Sequence, residues 1–290
     1  MKKLPVNLID AVCRQAIEED VGVGDVTGKY TGLDRRVTAA VCTAKENMVL
    51  CGIDFARTVF AMVDPAVKFR TSFRDKDVLK KGEEIFTVKG NAESIVCAER
   101  TAINFIGYLS GIATQARQLQ DIASEYGVIL LDTRKTTPTL RVFEKYAVRC
   151  GGAQNHRMGL YDMFLVKENH LLSAGVKCRK HIDLEKLRML VNRMKKETRL
   201  KVEIETENLR EFKAVLESGC DRIMLDNFNP ADIIKAVKIR DELKPEIELE
   251  ASGGICPANL RKYARTGVDY ISMGALIHSV KFSDISLKVV

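Results

Sequence analysis

The chain has 290 residues, with 46 Lys and Arg against 39 Asp and Glu and a net charge of +7 with histidine neutral. Its 46% hydrophobic and 29% charged content is that of an ordinary globular protein, which sets aside disorder, collagen-like repeats and coiled coil. The length suits one large α/β domain or a pair of domains, and the modest basic excess permits anionic ligands without locating them.

The first twenty residues, MKKLPVNLIDAVCRQAIEED, carry two lysines but no long apolar run, and they soon turn acidic. They read as an amphipathic helix and not as an export signal. No apolar stretch approaches the roughly 20 residues that a membrane helix needs. Eight cysteines at 13, 42, 51, 97, 150, 178, 220 and 256 are scattered, without a C-x-x-C pair. The four histidines at 156, 170, 181 and 278 do not sit at finger intervals to any cysteine pair. Scattered thiols fit a reducing compartment, so a soluble cytoplasmic protein is expected.

The first third reads as a β-rich module. Residues 37–43 (VTAAVCT), 67–73 (VKFRTSF) and 84–88 (EIFTV) are short, β-branched or aromatic, and bounded by Gly, Asp and Lys. A helical pattern then runs from about 95 to 126, with Ala98, Ala102, Phe105, Ile106 and Leu109 at helical spacing. Gly107 and Gly111 either interrupt this helix or let another segment pack closely on it.

The remainder has a different rhythm. Short apolar strands are predicted at 128–131, 164–166, 201–204, 222–225, 247–249 and 270–273, with helices at about 184–198, 207–218, 230–242 and 257–266. From Lys201 onward the strands recur about every 21–25 residues, the pitch of successive β–α units. Parallel strands separated by helices imply a doubly wound sheet or a barrel.

The polar residues at the strand ends are the candidates for chemistry. The strands run into Asp132-Thr133-Arg134-Lys135, Lys167-Glu168-Asn169-His170, Glu205, Asp226-Asn227, Ser252-Gly253-Gly254 and Gly274. One such polar residue is usually a helix cap. Six in succession point to a convergent pocket at the C-terminal strand ends, where α/β barrels build their active sites.

Arg134, Lys135, Arg157 and Lys167 would place cations around that mouth, suited to carboxylate or phosphate. Residues 133–157 hold six Lys or Arg against one acid, which suggests a substrate with several negative charges. Residues 177–201 hold ten against three, but Leu184, Leu187, Leu190, Val191 and Met194 form an apolar stripe there. Those cations read as the solvated face of a packed helix, and no nucleic-acid recognition motif accompanies them.

Glu205 and Asp226 end adjacent strands, where paired carboxylates could bind ribose hydroxyls, hold Mg2+ through water, or stabilise a developing cation. Glu203 alternates with Glu205 on one face, so which of the two enters the pocket stays open on spacing alone. Ser252-Gly253-Gly254 and Gly274 let backbone N–H groups approach an anion. His156, within Asn155-His156-Arg157, reads equally as a structural hydrogen-bonding residue or a proton carrier.

Several stretches resemble the quinolinate phosphoribosyltransferase (nicotinate-nucleotide pyrophosphorylase, carboxylating) family. They include ERTAINFIGYLSGIAT at 99–114, LDTRKTTPTLR at 131–141, KYAVRCGGAQNHRMGL at 145–160 and LVKENH at 165–170. VEIE at 202–205, MLDNF at 224–228, EASGGI at 250–255, GVDYISMGALIHSV at 267–280 and the early GDVT at 24–27 complete the set. The resemblance implies an N-terminal α/β sandwich at 1–109, rejoined by the tail 275–290, and an incomplete α/β barrel at 110–274.

The resemblance also implies phosphoribosyl transfer from phosphoribosyl pyrophosphate to quinolinate, with decarboxylation and with Mg2+ accompanying the donor. Arg134, Lys135, Arg157 and Lys167 would form the anion-binding ring, with His156 lining it and Thr133 supporting the loop. Glu205, favoured over Glu203, and Asp226 would contact the ribose and the metal's water shell; Lys135, Lys167, Glu205 and Asp226 would be catalytic. Ser252, Gly253, Gly254 and Gly274 would cradle the 5-phosphate. Arg100 would reach the site of a neighbouring subunit, which requires at least a homodimer and allows a hexamer.

Three positions depart from the family pattern: Thr139 and Ala153 replace glycines, and Glu168 replaces an aspartate. Competing readings are a Schiff-base aldolase or decarboxylase using Lys167, a divergent paralogue that does not use quinolinate, and a nicotinate phosphoribosyltransferase.

Overall fold

The computed structural model describes residues 4–178 and 181–290. In chain order come helices α1 (Val6–Val21) and α2 (Val26–Thr31), strands β1 (Val37–Ala44) and β2 (Met48–Val49), α3 (Ile53–Val63), β3 (Lys68–Arg70), β4 (Val78–Leu79), β5 (Glu84–Asn91) and α4 (Ala92–Ser124). Next are β6 (Ile129–Leu131), α5 (Arg141–Cys150), β7 (Phe164–Val166), α6 (Glu168–Ser173), β8 (Lys177–Cys178), β9 (His181–Ile182), α7 (Leu184–Glu197), β10 (Val202–Thr206) and α8 (Leu209–Leu216). The chain ends with β11 (Arg222–Asp226), α9 (Pro230–Leu243), β12 (Glu248–Ser252), α10 (Leu260–Ala264), β13 (Tyr270–Ser272), α11 (Ala275–His278) and β14 (Ile285–Val289).

The chain forms two compact units. One takes Met1–Arg117, Val142–Gly152 and Ser279–Val290, the other Gln118–Arg141 and Ala153–His278. The divide cuts α4 after Arg117, and it gives most of α5 to the N-terminal unit. Side-chain contacts explain that placement. Phe143 meets Phe55 edge-on at 5.1 Å, the Tyr146 hydroxyl donates to Asp75, and the Tyr108 hydroxyl donates to Glu144.

The first unit is an α/β sandwich built on an antiparallel sheet of order β14-β1-β5-β3. The strand β14 runs beside β1 from Ala40↔Val289 to Ala44↔Ile285. Alternation buries Ala40, Cys42 and Ala44 on one face of β1, as period-2 geometry requires. Phe60 of α3 packs on that sheet through Phe86, at 5.9 Å, and Phe86 stacks on Phe69 at 4.6 Å. Gly107 and Gly111 do not interrupt α4; they admit the tail. A Cβ at Gly111 would lie 2.3 Å from the Lys281 carbonyl, and the Gly107 carbonyl accepts from Ser283 N at 2.9 Å.

The second unit is an incomplete α/β barrel. Its six parallel strands run in the order β6-β13-β12-β11-β10-β7, with a further parallel bridge from Leu131 to Gln154. Helix starts are fixed by capping side chains: Asp183 accepts from Lys186 N, Asn208 from Glu211 N and Asn229 from Asp232 N. Two predicted elements shrink. The strand at 67–73 stops at Arg70, where the Thr71 hydroxyl turns the chain by bonding Ile85 O and Phe73 N. The helix at 257–266 starts at Leu260, because Asn259 Oδ1 accepts from Cys256 N and holds a turn. Among the described residues no helix is long and apolar enough to cross a membrane.

Thr139, in the loop between β6 and α5, has φ of 72°, the left-handed region that a β-branched residue resists. The family's glycine at this position has that physical basis. Thr139→Gly should therefore stabilise the protein by about 1 kcal/mol, strain relief outweighing the added freedom of the unfolded chain. Urea denaturation checks this; a loss of stability would show that Thr139 contributes contacts worth more than its strain.

Candidate active site

Asp132, fully buried at the end of β6, organises the loop opposite it. Its Oδ1 accepts from His156 N at 2.9 Å and its Oδ2 from Asn155 Nδ2 at 2.5 Å. His156 Nδ1 in turn accepts from Arg157 N at 2.7 Å, so the ring proton resides on Nε2. Nε2 lies 3.0 Å from Glu203 Oε2 and 3.6 Å from Glu250 Oε2. Both ring nitrogens are thus committed inside the protein. The ring ties the loop to the buried carboxylates beneath it.

Arg157 is next in the loop, only 9% exposed, and its Nε has no hydrogen-bond partner among the described residues. The guanidinium's one hydrogen bond among the described residues, NH1 to Met163 O, is long at 3.5 Å. Burial and then the charge of Arg134 push its pKa down, while Asp162 and Glu203 act in the opposite sense. A buried guanidinium beside a second one, with a donor unspent, is an arrangement that an anion completes. Arg134 and Lys135 are exposed, and Thr133 Oγ1 accepts from Lys135 N at 3.0 Å, tying the turn. The Lys135 stem lies along Gly274, where a Cβ would come within 3.0 Å of Lys135 Cδ.

The strands tilt across the barrel, so inward-facing residues at one depth come from different register rows. Glu203 aligns with Arg222, Glu205 and Glu250 with Met224, and Asp226 with Ser252. At the base, Arg222 bonds Glu248 Oε2 through Nε and NH2 at 3.0 and 2.9 Å, and lies 4.0 Å over the Tyr270 ring. Its NH1 reaches up to Glu250 at 3.2 Å. The middle layer holds Glu203 and Glu250, both fully buried, each with one oxygen unpartnered among the described residues. Burial pushes Glu203 up to about 7 and Glu250 up to about 8, the latter helped by the charge of Glu203.

The top layer holds Glu205 and Asp226. The alternation left open between Glu203 and Glu205 resolves by depth: both face inward, Glu203 below and Glu205 at the rim. Glu205 Oε2 pairs with Lys167 Nζ at 2.5 Å, and Asp226 Oδ2 accepts from Asn227 Nδ2 at 2.7 Å. Asn227 N bonds Ser252 O at 2.9 Å, which brings Asp226 beside the Ser252-Gly253-Gly254 turn. Gly253 has φ of 90°, and a Cβ there would fall 2.3 Å from Asn227 Oδ1, so only glycine fits.

The second unit thus gathers Thr133, Arg134, Lys135, His156, Arg157, Lys167, Glu205, Asp226, Ser252, Gly253, Gly254 and Gly274 on the loops and strand ends of one sheet. Arg100 lies elsewhere, exposed on α4 in the first unit. The local charge excess at 133–157 is less concentrated than its count suggests. Lys145 is buried in α5, and Arg141 bonds Thr136 Oγ1 and Met158 O. The exposed cations of α7 are a solvated face over buried Leu187 and Val191, while Arg179 and Lys180 lie outside the described residues. Lys177 departs from that reading. It is buried and paired with Glu168, Glu207 and Glu211 at 3.1, 3.3 and 2.9 Å. In a recess at the opposite strand ends, Lys195 pairs with Asp221 and Lys201 with Glu248.

Residues 25–110 match the model of the quinolinate phosphoribosyl transferase N-terminal domain, and residues 112–288 that of its C-terminal domain. The chain belongs to the quinolinate phosphoribosyl transferase family. A probable nicotinate-nucleotide pyrophosphorylase (carboxylating) from Synechocystis is 38% identical, over 99% of this chain and 94% of the relative. The chloroplastic enzyme of that name from Arabidopsis thaliana is 40% identical, over 98% of this chain and 84% of its own. Among solved structures, the nicotinate-nucleotide pyrophosphorylase of Francisella tularensis superposes with a TM-score of 0.89 at 38% identity, covering 99% of this chain and 98% of its own. NadC from Streptococcus pyogenes gives 0.90 at 32%, covering 100% and 99%.

The departures from the family pattern leave the cationic set intact. Glu168 uses its length to reach buried Lys177, and Ala153 is buried just before the Asn155–Arg157 loop. Sequence reasoning placed Asp132 at a strand end but missed the support beneath the site: Glu250 and Arg222 sit in apolar strand runs with no signal except a charge where an apolar residue is expected.

The raised carboxylates make stability pH-dependent. With an ordinary Glu near 4.5, the folded state binds more protons than the unfolded between that value and about 8, so stability falls as pH rises through this window. Glu250→Gln should flatten the decline, seen as a smaller drop in melting temperature from pH 5 to 8 than in wild type. An unchanged slope would mean that the pair does not hold a proton.

Proposed function

We propose that this family member transfers the phosphoribosyl group of phosphoribosyl pyrophosphate to the ring nitrogen of quinolinate. Pyrophosphate and CO2 leave and nicotinate mononucleotide forms. The observation that carries the reading is Arg157, a buried cation with an unspent donor beside a second cation, Arg134. A dicarboxylate supplies the charge that this pair lacks, and the relatives' names specify quinolinate and decarboxylation.

In this reading Arg157, Arg134 and Lys135 hold the anionic groups, Thr133 keeps the turn in register, and His156 fixes the Arg157 backbone without touching a reacting proton. Ser252, Gly253, Gly254 and Gly274 offer close backbone approach to the 5-phosphate, while Glu205 and Asp226 face the ribose. Lys167 is held by Glu205 at the rim, from which it can move to a departing or incoming anion. The donor ionises toward an oxocarbenium-like state and the pyridine nitrogen attacks C1 of the ribose. The alkylated ring is cationic, so it stabilises the carbanion left at C2 when CO2 departs, and a proton then replaces the carboxylate. Positioning and electrostatics dominate, and no covalent enzyme nucleophile is required.

Glu205 Oε1 and Asp226 Oδ1 carry no hydrogen bond or ion pair among the described residues. Half-buried hard oxygens of this kind suit Mg2+ held through its waters. The ion would neutralise charge on pyrophosphate. Arg100 would act in a neighbouring subunit's site, making the protein at least a dimer and allowing a hexamer, in the cytoplasm. A Schiff-base role for Lys167 is disfavoured, because an ammonium paired to a carboxylate is not a free amine.

Incubation with quinolinate, phosphoribosyl pyrophosphate and Mg2+ should release CO2 and nicotinate mononucleotide in equal amounts, and nicotinate should not replace quinolinate. Lys135→Ala should lower kcat/KM by about 10²–10³-fold with the fold retained. Product from nicotinate, or full turnover in that variant, would contradict the assignment.

A further inference from the structure

Outside the barrel, two thiols and a carboxylate from three separate stretches of the first unit converge. Cys51, just before α3, and Cys150, the last residue of α5, are buried, and Asp75, between β3 and β4, is half-buried. One donor atom from each lies within 4.8 Å of the other two. Cys51 Sγ is 4.0 Å from Asp75 Oδ2.

The Asp75 carboxylate is held in place from behind. Its Oδ1 accepts from Gly52 N at 2.9 Å and Ile53 N at 3.1 Å, and its Oδ2 accepts from the Tyr146 hydroxyl at 2.9 Å. Outer hydrogen bonds of this kind orient a ligating carboxylate. Two sulfurs and one oxygen form a donor set for a borderline-soft divalent ion, with room in its usual coordination for one water.

We propose that Cys51, Asp75 and Cys150 form a binding site for a thiophilic divalent cation of the zinc class. Asp75 caps the start of α3 and holds the Tyr146 hydroxyl, and the convergence of two thiols on the same carboxylate adds the soft donors that a cap alone does not need. A doubly charged ion would bind the two thiolates and the carboxylate as ligands of one centre, displacing the thiol protons. The ion would clasp the start of α3 to the end of α5 within the first unit.

The test uses the full chain, reduced with a phosphine, loaded with Zn2+ or Co2+ and freed of excess metal. Wild type should retain about one zinc per chain in the thiolate site. The cobalt form should show thiolate-to-metal charge-transfer absorption, which His156, Glu203, Glu250 and the other carboxylates cannot produce. Cys51→Ser and Cys150→Ser should lose that band, and Cys178→Ser, at an exposed thiol, should keep it. If either serine variant fails to fold, alkylation of wild type decides: zinc should protect Cys51 and Cys150 at least tenfold relative to the metal-free protein. Absence of the band in wild type, its loss only in Cys178→Ser, or unprotected Cys51 and Cys150 would each overturn the site.

Discussion

Beneath the mouth of the barrel, His156 Nε2 meets two buried carboxylates, Glu203 at 3.0 Å and Glu250 at 3.6 Å. Much of the site depends on that contact. A charge held in a low-dielectric interior needs compensation, and compensation fixes geometry. The carboxylates are tethered from below by Arg222, they hold the imidazole from the side, and the imidazole holds the backbone of Arg157. Glu203 also acts electrostatically to keep Arg157 charged, against burial and against Arg134. A stack of alternating signs, from the Arg222 layer upward, therefore ends in a cation whose bonding is incomplete.

That incompleteness separates Arg157 from the buried cations Lys177 and Arg240. Lys177 is as buried as Arg157, yet three carboxylates surround it and it has nothing left to offer a ligand. Arg240 is likewise buried and satisfied by Asp241 and Asp269. Lys195 and Lys201 at the opposite strand ends are paired as well. Net charge and local charge density do not distinguish these positions. An unspent buried donor beside a second cation, Arg134, does distinguish Arg157 from them. Holding an unsatisfied cation in place costs stability, the usual condition of a binding site awaiting its ligand.

The barrel was legible in the sequence because its strands are short apolar runs at a regular pitch and each ends in a polar residue. That pattern located Glu205, Asp226, Ser252 and Gly274 at strand ends. It could not rank them by depth, since a period of two gives the face of a strand and not the layer. The depth of Glu203 stayed open for the same reason, Glu250 was not singled out at all, and Arg222 was hidden as an ordinary strand start. The helix α5 was equally opaque: its Glu144 and Lys145 look solvent-facing, yet both are buried in the first unit. No local signal could show that Cys51, Asp75 and Cys150 meet, because their encounter depends on how that unit packs. Thr139 shows the reverse case, a departure visible in sequence whose meaning needed a backbone angle.

The central claim, that Arg157 is an under-bonded cation awaiting an anion, is tested most directly by steady-state kinetics of Arg157→Ala combined with its unfolding midpoint. In that variant kcat/KM for quinolinate should fall by about 10²–10³-fold, while the midpoint stays level or rises because a buried, under-bonded cation has been removed. Turnover equal to wild type, or a loss of activity explained by a collapsed midpoint, would contradict it.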